Sequence, residues 1–406
     1  MKIVERTLRL RKIKKIKDKD NMNPGFWSNK PVQISIDGNY TNIYNKEHIL
    51  SKVNKEIEEN KFKLDYHVLD GNELTSKKIH EIVEFINMNY VESTLNSFKL
   101  IYTHELFSFY CKDSIILEFY PVSASSNAIN STKIVGYVLG KKSKISLYHS
   151  IFDSSEVNFL CIIPTLRSLG LGSFMLNVLT KEIILKYNVT TSHYTISAPI
   201  KSPYFGEKNF YHRFINVHNL HKIKFISKLY NSYNIFNYDK DCNYTLKYIN
   251  GHGINDELGK ALYDKYIFYC KNSYDIYDVV DYEEFNKSFS NNMFHHFIIY
   301  NEGSEVVSYV SLFRLDTFNN NIKMGVKTGY YYYMFFETKS KIANDLEYIN
   351  KYIYDNCIFD ILTFTDIFDV DYESMNCIKG SSLLRYYFYN VNIPLINNKK
   401  NGMITI

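Results

Sequence analysis

Apolar positions recur at two different periods along this chain. Between residues 76 and 90 they fall at Ile79, Ile82, Val83, Ile86 and Tyr90, the three-and-four spacing of a helix with one buried face. Ser114–Tyr120, Lys133–Leu139 and Lys144–Tyr148 are short β-rich runs and predict three strands. Residues 156–163 form another such run, which Pro164 stops. A glycine-containing loop, Arg167-Ser168-Leu169-Gly170-Leu171-Gly172, comes next. Phe174, Leu176, Val178, Leu179, Ile183 and Ile184 then predict a helix, and Ser192–Ser197 a strand. The order strand, loop, helix, strand is that of an α/β fold. Near residue 220 the pattern restarts, with strands expected at Phe297–Tyr300, Val306–Phe313 and Arg385–Tyr389. No exact repeat and no long low-complexity linker separates the two stretches, so they are expected to pack as one body.

Composition changes this picture little. The chain has 406 residues, 45% of them hydrophobic, enough for two domains or one large compound fold. The six cysteines (Cys111, Cys161, Cys242, Cys270, Cys357, Cys377) contain no Cys-x-x-Cys pair, which argues against a zinc ribbon or a redox pair. The first residues are polar and basic, unlike a cleavable signal peptide, and no apolar run is long enough to cross a membrane. A reducing, cytoplasmic setting is expected.

Charge is unevenly placed. Residues 1–20 hold nine basic and three acidic side chains, +6 within a chain total of +5, which leaves −1 for the rest. The basic balance therefore belongs to an arm, residues 1–22. A solvated tail and a contact with ribosomal RNA or an anionic membrane fit it equally. Acidic stretches at Asp275–Glu284 and Asp366–Glu373 read as helix caps and solvated faces, not as a metal site.

The loop at 167–172 carries the first chemical signal. Glycines that open a helix let several backbone N–H groups approach an anion, and the helix dipole adds attraction. The dinucleotide spacing Gly-x-Gly-x-x-Gly is absent, and no Gly-Lys-Ser/Thr follows. On the loop alone, an ordinary turn with two glycines weighs as much as a CoA-pyrophosphate cradle.

The residues around the loop add to this. Arg-x-x-Gly-x-Gly after a strand resembles the acyl-CoA loop of the GNAT acetyltransferase fold. Glu156-Val157-Asn158-Phe159-Leu160-Cys161, followed by Leu166-Arg167, resembles the signature of one family within it, the N-myristoyltransferases (glycylpeptide N-tetradecanoyltransferases). Further resemblances follow in order: Phe26-Trp27 with Pro31-Val32, Asn89-Tyr90-Val91-Glu92 with Phe98, Tyr194-Thr195, Tyr211-His212-Arg213, Tyr386-Tyr387-Phe388-Tyr389-Asn390, and the ending Gly402-Met403-Ile404-Thr405-Ile406. The resemblance covers roughly residues 23–406.

It implies two tandem acetyltransferase-like halves in one body with a large mixed sheet: 23–215 binding the acyl-CoA, and 216–406 contributing to the peptide site and supplying the terminal carboxylate. It implies transfer of a tetradecanoyl group from CoA to the N-terminal glycine amine of proteins, with tetradecanoyl-CoA as co-substrate, no permanent cofactor and no metal. A monomer is expected. The backbone N–H groups of Phe159 and Leu160 would form the oxyanion hole, the carboxylate of Ile406 would act as base, and Thr195 would help hold the amine. Acyl-CoA contacts would fall at Gly25, Phe26, Trp27, Tyr90, Val91, Cys161, Ile162, Arg167, Ser168, Leu169, Gly170, Leu171 and Gly172. Peptide contacts would fall at Phe98, Phe210, His212 and Tyr331. Direct transfer is favoured over an acyl-enzyme on Cys161, since a buried cysteine is usually inert.

The chain departs from the family on the peptide side. Ser93-Thr94-Leu95 follow Glu92 where the family has several Asp, Gly380-Ser381-Ser382 replaces Gly-Asp-Gly, and Tyr331 replaces a small Ser. A substrate lysine is therefore expected to be less favoured. Two other readings stay open: an acetyltransferase-like enzyme with another acyl-CoA or amine acceptor, and a non-catalytic acyl-CoA or peptide-binding relative.

Overall fold

The computed structural model describes residues 32–34, 41–59, 61–90, 98–122, 134–198, 200, 202–229, 235–239 and 243–404. Gly25, Phe26, Trp27, Val91, Ile406 and the basic arm lie outside the described residues.

Thirteen strands form one mixed sheet. They are β1 (Leu64–Asp70), β2 (Ser114–Pro121), β3 (Gly136–Leu147), β4 (Ser150–Ile162), β5 (Ser192–Ile196), β6 (Gly206–Phe214), β7 (Thr245–Asn250), β8 (Ile276–Asp278), β9 (Phe294–Tyr300), β10 (Val306–Arg314), β11 (Thr328–Phe336), β12 (Ile361–Thr365) and β13 (Cys377–Tyr389). Across the sheet they run β7-β9-β10-β11-β12-β6-β13-β5-β4-β3-β2-β1, with β8 paired to β3. Only β4 with β5 and β11 with β12 are parallel. A parallel pair needs a crossover, and a helix supplies it each time. Helix α4 (Leu171–Tyr187) joins β4 to β5, and α8 (Ile342–Asp355) joins β11 to β12. The helices α1 (Lys46–Glu58), α2 (Ser76–Asn89), α3 (His104–Tyr110), α5 (Val217–Lys222), α6 (Asp256–Ser273) and α7 (Tyr282–Lys287) complete the body.

The periodic apolar residues lie where the sequence places them. Ile79, Ile82, Val83 and Ile86 are the buried face of α2, whose N-terminus Thr75 caps by accepting the Lys78 N–H. Phe174, Val178, Leu179 and Ile183 of α4 pack on Ile115, Leu117 and Val138 of β2 and β3. Ile342, Leu346, Ile349 and Ile353 do the same for α8 on β9 and β10.

One expectation needs correction. The two strands expected over 133–148 are the single strand β3, with no turn between them. Gly140 lies mid-strand, where a Cβ would stand 2.7 Å from Ile183 Cδ1; the glycine serves close helix-on-sheet packing and marks no break.

Candidate active site

The site lies where two parallel strands part. β4 and β5 pair only at Ser155 with Ser192 and at Glu156 with His193. Past that point both strands line a cavity of about 720 Å³, through Val157–Leu160 on β4 and Tyr194–Ser197 on β5. Leu176, Leu179 and Ile183 of α4 supply apolar wall, and Phe210 and His212 of β6 close another side.

A bulge diverts β4. Tyr137 pairs with Cys161 and Leu139 with Asn158, so Phe159 and Leu160 together oppose the single residue Val138. Phe159 takes φ +50°, a left-handed conformation that costs a side-chain-bearing residue roughly 1–3 kcal/mol. Packing offsets that cost. The Phe159 ring is 2% exposed, and the rings of Tyr90, Tyr102, Phe107 and Tyr110 surround it at 5.3–5.7 Å. The Phe159 N–H points to the side-chain oxygen of Asn158, 2.8 Å away, and Asn158 is itself tied to the Tyr110 hydroxyl at 3.2 Å.

The loop after β4 is built as a helix-opening turn. Ser168 and Gly170 have φ of +68° and +88°, and Gly170 is the N-cap of α4. Ser168, Leu169 and Gly170 are exposed. The Arg167 guanidinium ties the loop to its surroundings, donating to the carbonyls of Ile162, at 3.0 Å, and of Asn89. Asn89 ends α2, one residue before Tyr90.

The structure brings Tyr90, Phe159, Leu160, Thr195, Phe210 and His212 to one cavity. Burial pushes His212 down to about 4, so its ring is neutral at pH 7, and Nδ1 lies 3.0 Å from Thr363 Oγ1. Cys161 is 2% exposed, and burial pushes its thiol up to about 12. Cys161, Ile162 and the 167–172 loop do not line this cavity, and neither do Phe98 and Tyr331 of the expected peptide side. Phe98 packs edge-on against Phe225 at 5.2 Å, and Tyr331 lines a smaller cavity of about 60 Å³ that shares Phe210, Tyr330 and Thr363 with the large one.

The last described residues also reach this region, for Gly402, Met403 and Ile404 line the smaller cavity. Sequence reasoning missed the polar groups beneath them. His193 and Lys208 gave no signal, because an isolated polar residue in a strand reads as surface, and Asp278 belongs to the acidic stretch Asp275–Glu284, which reads as a solvated face. Among the described residues, no group of three His, Cys, Asp or Glu side chains is placed to hold a metal ion, and no helix is long and apolar enough to cross a membrane.

Residues 43–205 match the family model Myristoyl-CoA:protein N-myristoyltransferase, N-terminal domain. That stretch is thus similar to an N-myristoyltransferase N-terminal domain. The glycylpeptide N-tetradecanoyltransferase of Plasmodium falciparum is 24% identical over 217 residues, 52% of this chain and 51% of the relative. That of Candida glabrata is 26% identical over 149 residues, 37% of this chain and 32% of the relative. The chain thus spans about half the length, or less, of these curated relatives. A crystal structure of Saccharomyces cerevisiae N-myristoyltransferase with bound myristoyl-CoA superposes with a TM-score of 0.75 at 16% identity, covering 95% of this chain and 99% of that one. The N-myristoyltransferase fold therefore extends well beyond residues 43–205. Both Phe159 and the 167–172 loop lie inside the matched domain.

Proposed function

We propose that this chain moves a tetradecanoyl group from its CoA thioester to the N-terminal glycine amine of protein substrates. The observation that carries this reading is the cavity at the parting of β4 and β5, where the bulge residues Phe159 and Leu160 face Thr195 inside a stretch similar to an N-myristoyltransferase domain. Residues 23–215 and 216–406 are proposed as two acetyltransferase-like halves. In support, each holds one parallel strand pair joined by a helix.

The chemistry follows from the groups present. The glycine amine attacks the thioester carbonyl, a C–N bond forms, the C–S bond breaks, and CoA leaves as a thiol after taking a proton. Negative charge gathers on the carbonyl oxygen, and the N–H groups of Phe159 and Leu160 are assigned to it. Such a donor is worth about 3–4 kcal/mol of barrier. The Phe159 N–H donates to the Asn158 side-chain oxygen, and the oxyanion is assigned to replace that acceptor. The amine, with an ordinary pKa of about 8, must lose a proton first. The carboxylate of Ile406 is assigned as its acceptor and Thr195 as a hydrogen-bond partner of the amine. His212 is held neutral and lines the peptide side, with Phe98, Phe210 and Tyr331 also assigned there. A thiol pushed as high as that of Cys161 is a poor nucleophile, which favours direct transfer.

Tyr90, Cys161, Ile162 and the 167–172 loop are assigned to the acyl-CoA, with Gly25, Phe26, Trp27 and Val91. The exposed backbone from Ser168 to Gly170 opens α4, a 17-residue helix with no acid in its first turn, which suits a pyrophosphate. The five described cysteines are free thiols, which supports a reducing, cytoplasmic setting. The +6 arm is assigned to an anionic surface such as ribosomal RNA or a membrane.

The test is turnover of tetradecanoyl-CoA on octapeptides starting with Gly or Ala, using the natural chain and one extended by a few residues past Ile406. Acylation of Gly peptides alone, lost on extension, is expected. Tight CoA binding without transfer to either peptide would overturn the assignment.

A further inference from the structure

The described end of the chain lies along β8, whose other edge pairs with β3 through Ile276 with Leu147 and Asp278 with Ile145. Two backbone hydrogen bonds hold the tail there: Asp275 N–H donates to the Lys400 carbonyl at 2.8 Å, and Gly402 N–H to the Ile276 carbonyl at 2.7 Å. Continuing that register by two residues would send the Ile404 N–H to the backbone carbonyl of Asp278. It goes instead to the Asp278 side chain, at 2.7 Å from Oδ2.

The surroundings of Asp278 do not otherwise account for a carboxylate. His193 Nε2 stands 4.0 Å from Oδ1, but His193 is buried and held neutral, with Nδ1 3.0 Å from Ser154 Oγ. Lys141 acts on Asp278 from β3, but its ammonium is paired with Glu284 of α7. Glu156 of β4 and Glu284 repel its charge. Lys208 of β6 feels Asp278, but its ammonium has no hydrogen-bond partner among the described residues. Partly burying a carboxylate beside two others is costly, and among the described residues no full ion pair offsets it. The contact it makes is with the tail.

We propose that Asp278 is a positioning residue for the C-terminal tail: its carboxylate stands in for a backbone carbonyl and fixes where the last residues of the chain are delivered. The consequence for catalysis rests on the reading of Ile406 as base; the structural role does not. Asp278 acts through the tail and is not assigned to touch the substrate.

Two readouts separate these claims. Hydrogen exchange at the Ile404 amide reports the tail directly. Steady-state kinetics and tetradecanoyl-CoA affinity report its effect on the reaction. In Asp278→Ala, Ile404 is expected to exchange at least 10-fold faster, kcat to fall at least 10-fold, and acyl-CoA affinity to stay within twofold. Asp278→Asn keeps an oxygen acceptor and is expected to retain most of the protection. Should the Ala variant not fold, Asp278→Leu, which branches at the same carbon and cannot accept, takes its place. Unchanged protection at Ile404 in the non-accepting variant would overturn the role of Asp278. Lost protection with undiminished turnover would leave that role standing and sink the terminal carboxylate as base.

Discussion

Gly402 lies flat against the ring of Tyr274, so close that a Cβ added there would stand 2.2 Å from the ring carbon Cδ2. Tyr274 is buried in the core, and the next tail residue, Met403, is 4% exposed. Neither partner has room to yield. Gly402→Ala should therefore lift the tail from β8 while the acyl-CoA side, built on β4 and α4, stays intact. The expected outcome is a kcat at least 10-fold lower with tetradecanoyl-CoA affinity unchanged, measured by steady-state kinetics and ligand titration. Adding Tyr274→Ala removes the clash and should recover part of kcat. A Gly402→Ala enzyme with normal turnover would show that the tail tolerates displacement.

Phe159 combines a strained backbone with four aromatic neighbours. Removing its ring keeps the positive φ and deletes the packing that holds it. Phe159→Ala should cost about 3–5 kcal/mol, read from the urea midpoint. The bulge would no longer be pinned, so turnover should fall further than loss of folded protein explains. Full activity per folded molecule would argue against an oxyanion hole at this position.

The parts of the site legible in the sequence were those built from local pattern. The β-rich run before Pro164, the glycine loop and the apolar face of α4 follow from spacing alone, and the run and the helix both supply wall to the cavity. Thr195, Phe210 and His212 were placed by resemblance, and the structure brings them to the same cavity. What the sequence withheld depends on contacts between distant segments. Asp278 and Ile404 are 126 residues apart. Nothing local distinguishes Lys208 from the surface lysines, although it is fully buried. Tyr331, expected on the peptide side, packs its ring on Phe364 and Phe368 at 5.0 and 5.9 Å and lines the smaller cavity, which adjoins the larger one through Phe210, Tyr330 and Thr363. Strand alternation explains this: Tyr330, its neighbour on β11, takes the place on the larger cavity.

Ser381 and Ser382 line the large cavity where the resembling family carries an acid. A carboxylate there would attract a substrate lysine. This chain should show little preference between a Lys-containing Gly octapeptide and its Ala variant. Ser381→Asp should raise kcat/KM for the Lys peptide by about 1.5- to 5-fold, the scale of a partly exposed ion pair, and leave the Ala peptide unchanged. Equal gains for both peptides would mean that the change acts through packing and not through charge.

Lys208 is fully buried on β6, opposite Leu384 of β13, with its ammonium 5.1 Å from the centre of the Tyr386 ring and no hydrogen-bond partner among the described atoms. Burial pushes its pKa down to about 7, and the attraction of Asp366 and Asp278 only partly opposes this. The unfolded chain holds the proton up to a pKa of about 10.4. Between these values the unfolded state binds a proton that the folded state lacks, so Lys208 makes stability rise with pH by up to about 1.4 kcal/mol per unit. Below pH 7 both states are charged and the folded state carries the full desolvation penalty. Lys208→Met keeps the length of the side chain and removes the charge. The variant should be more stable by about 1–4 kcal/mol at pH 6, a range typical of replacing buried charges with apolar groups. Its advantage should shrink steadily towards pH 10. Urea midpoints at pH 6, 7.5 and 9 would measure this. A difference that does not vary with pH would mean that Lys208 titrates near its usual value and has a partner that the buried geometry conceals.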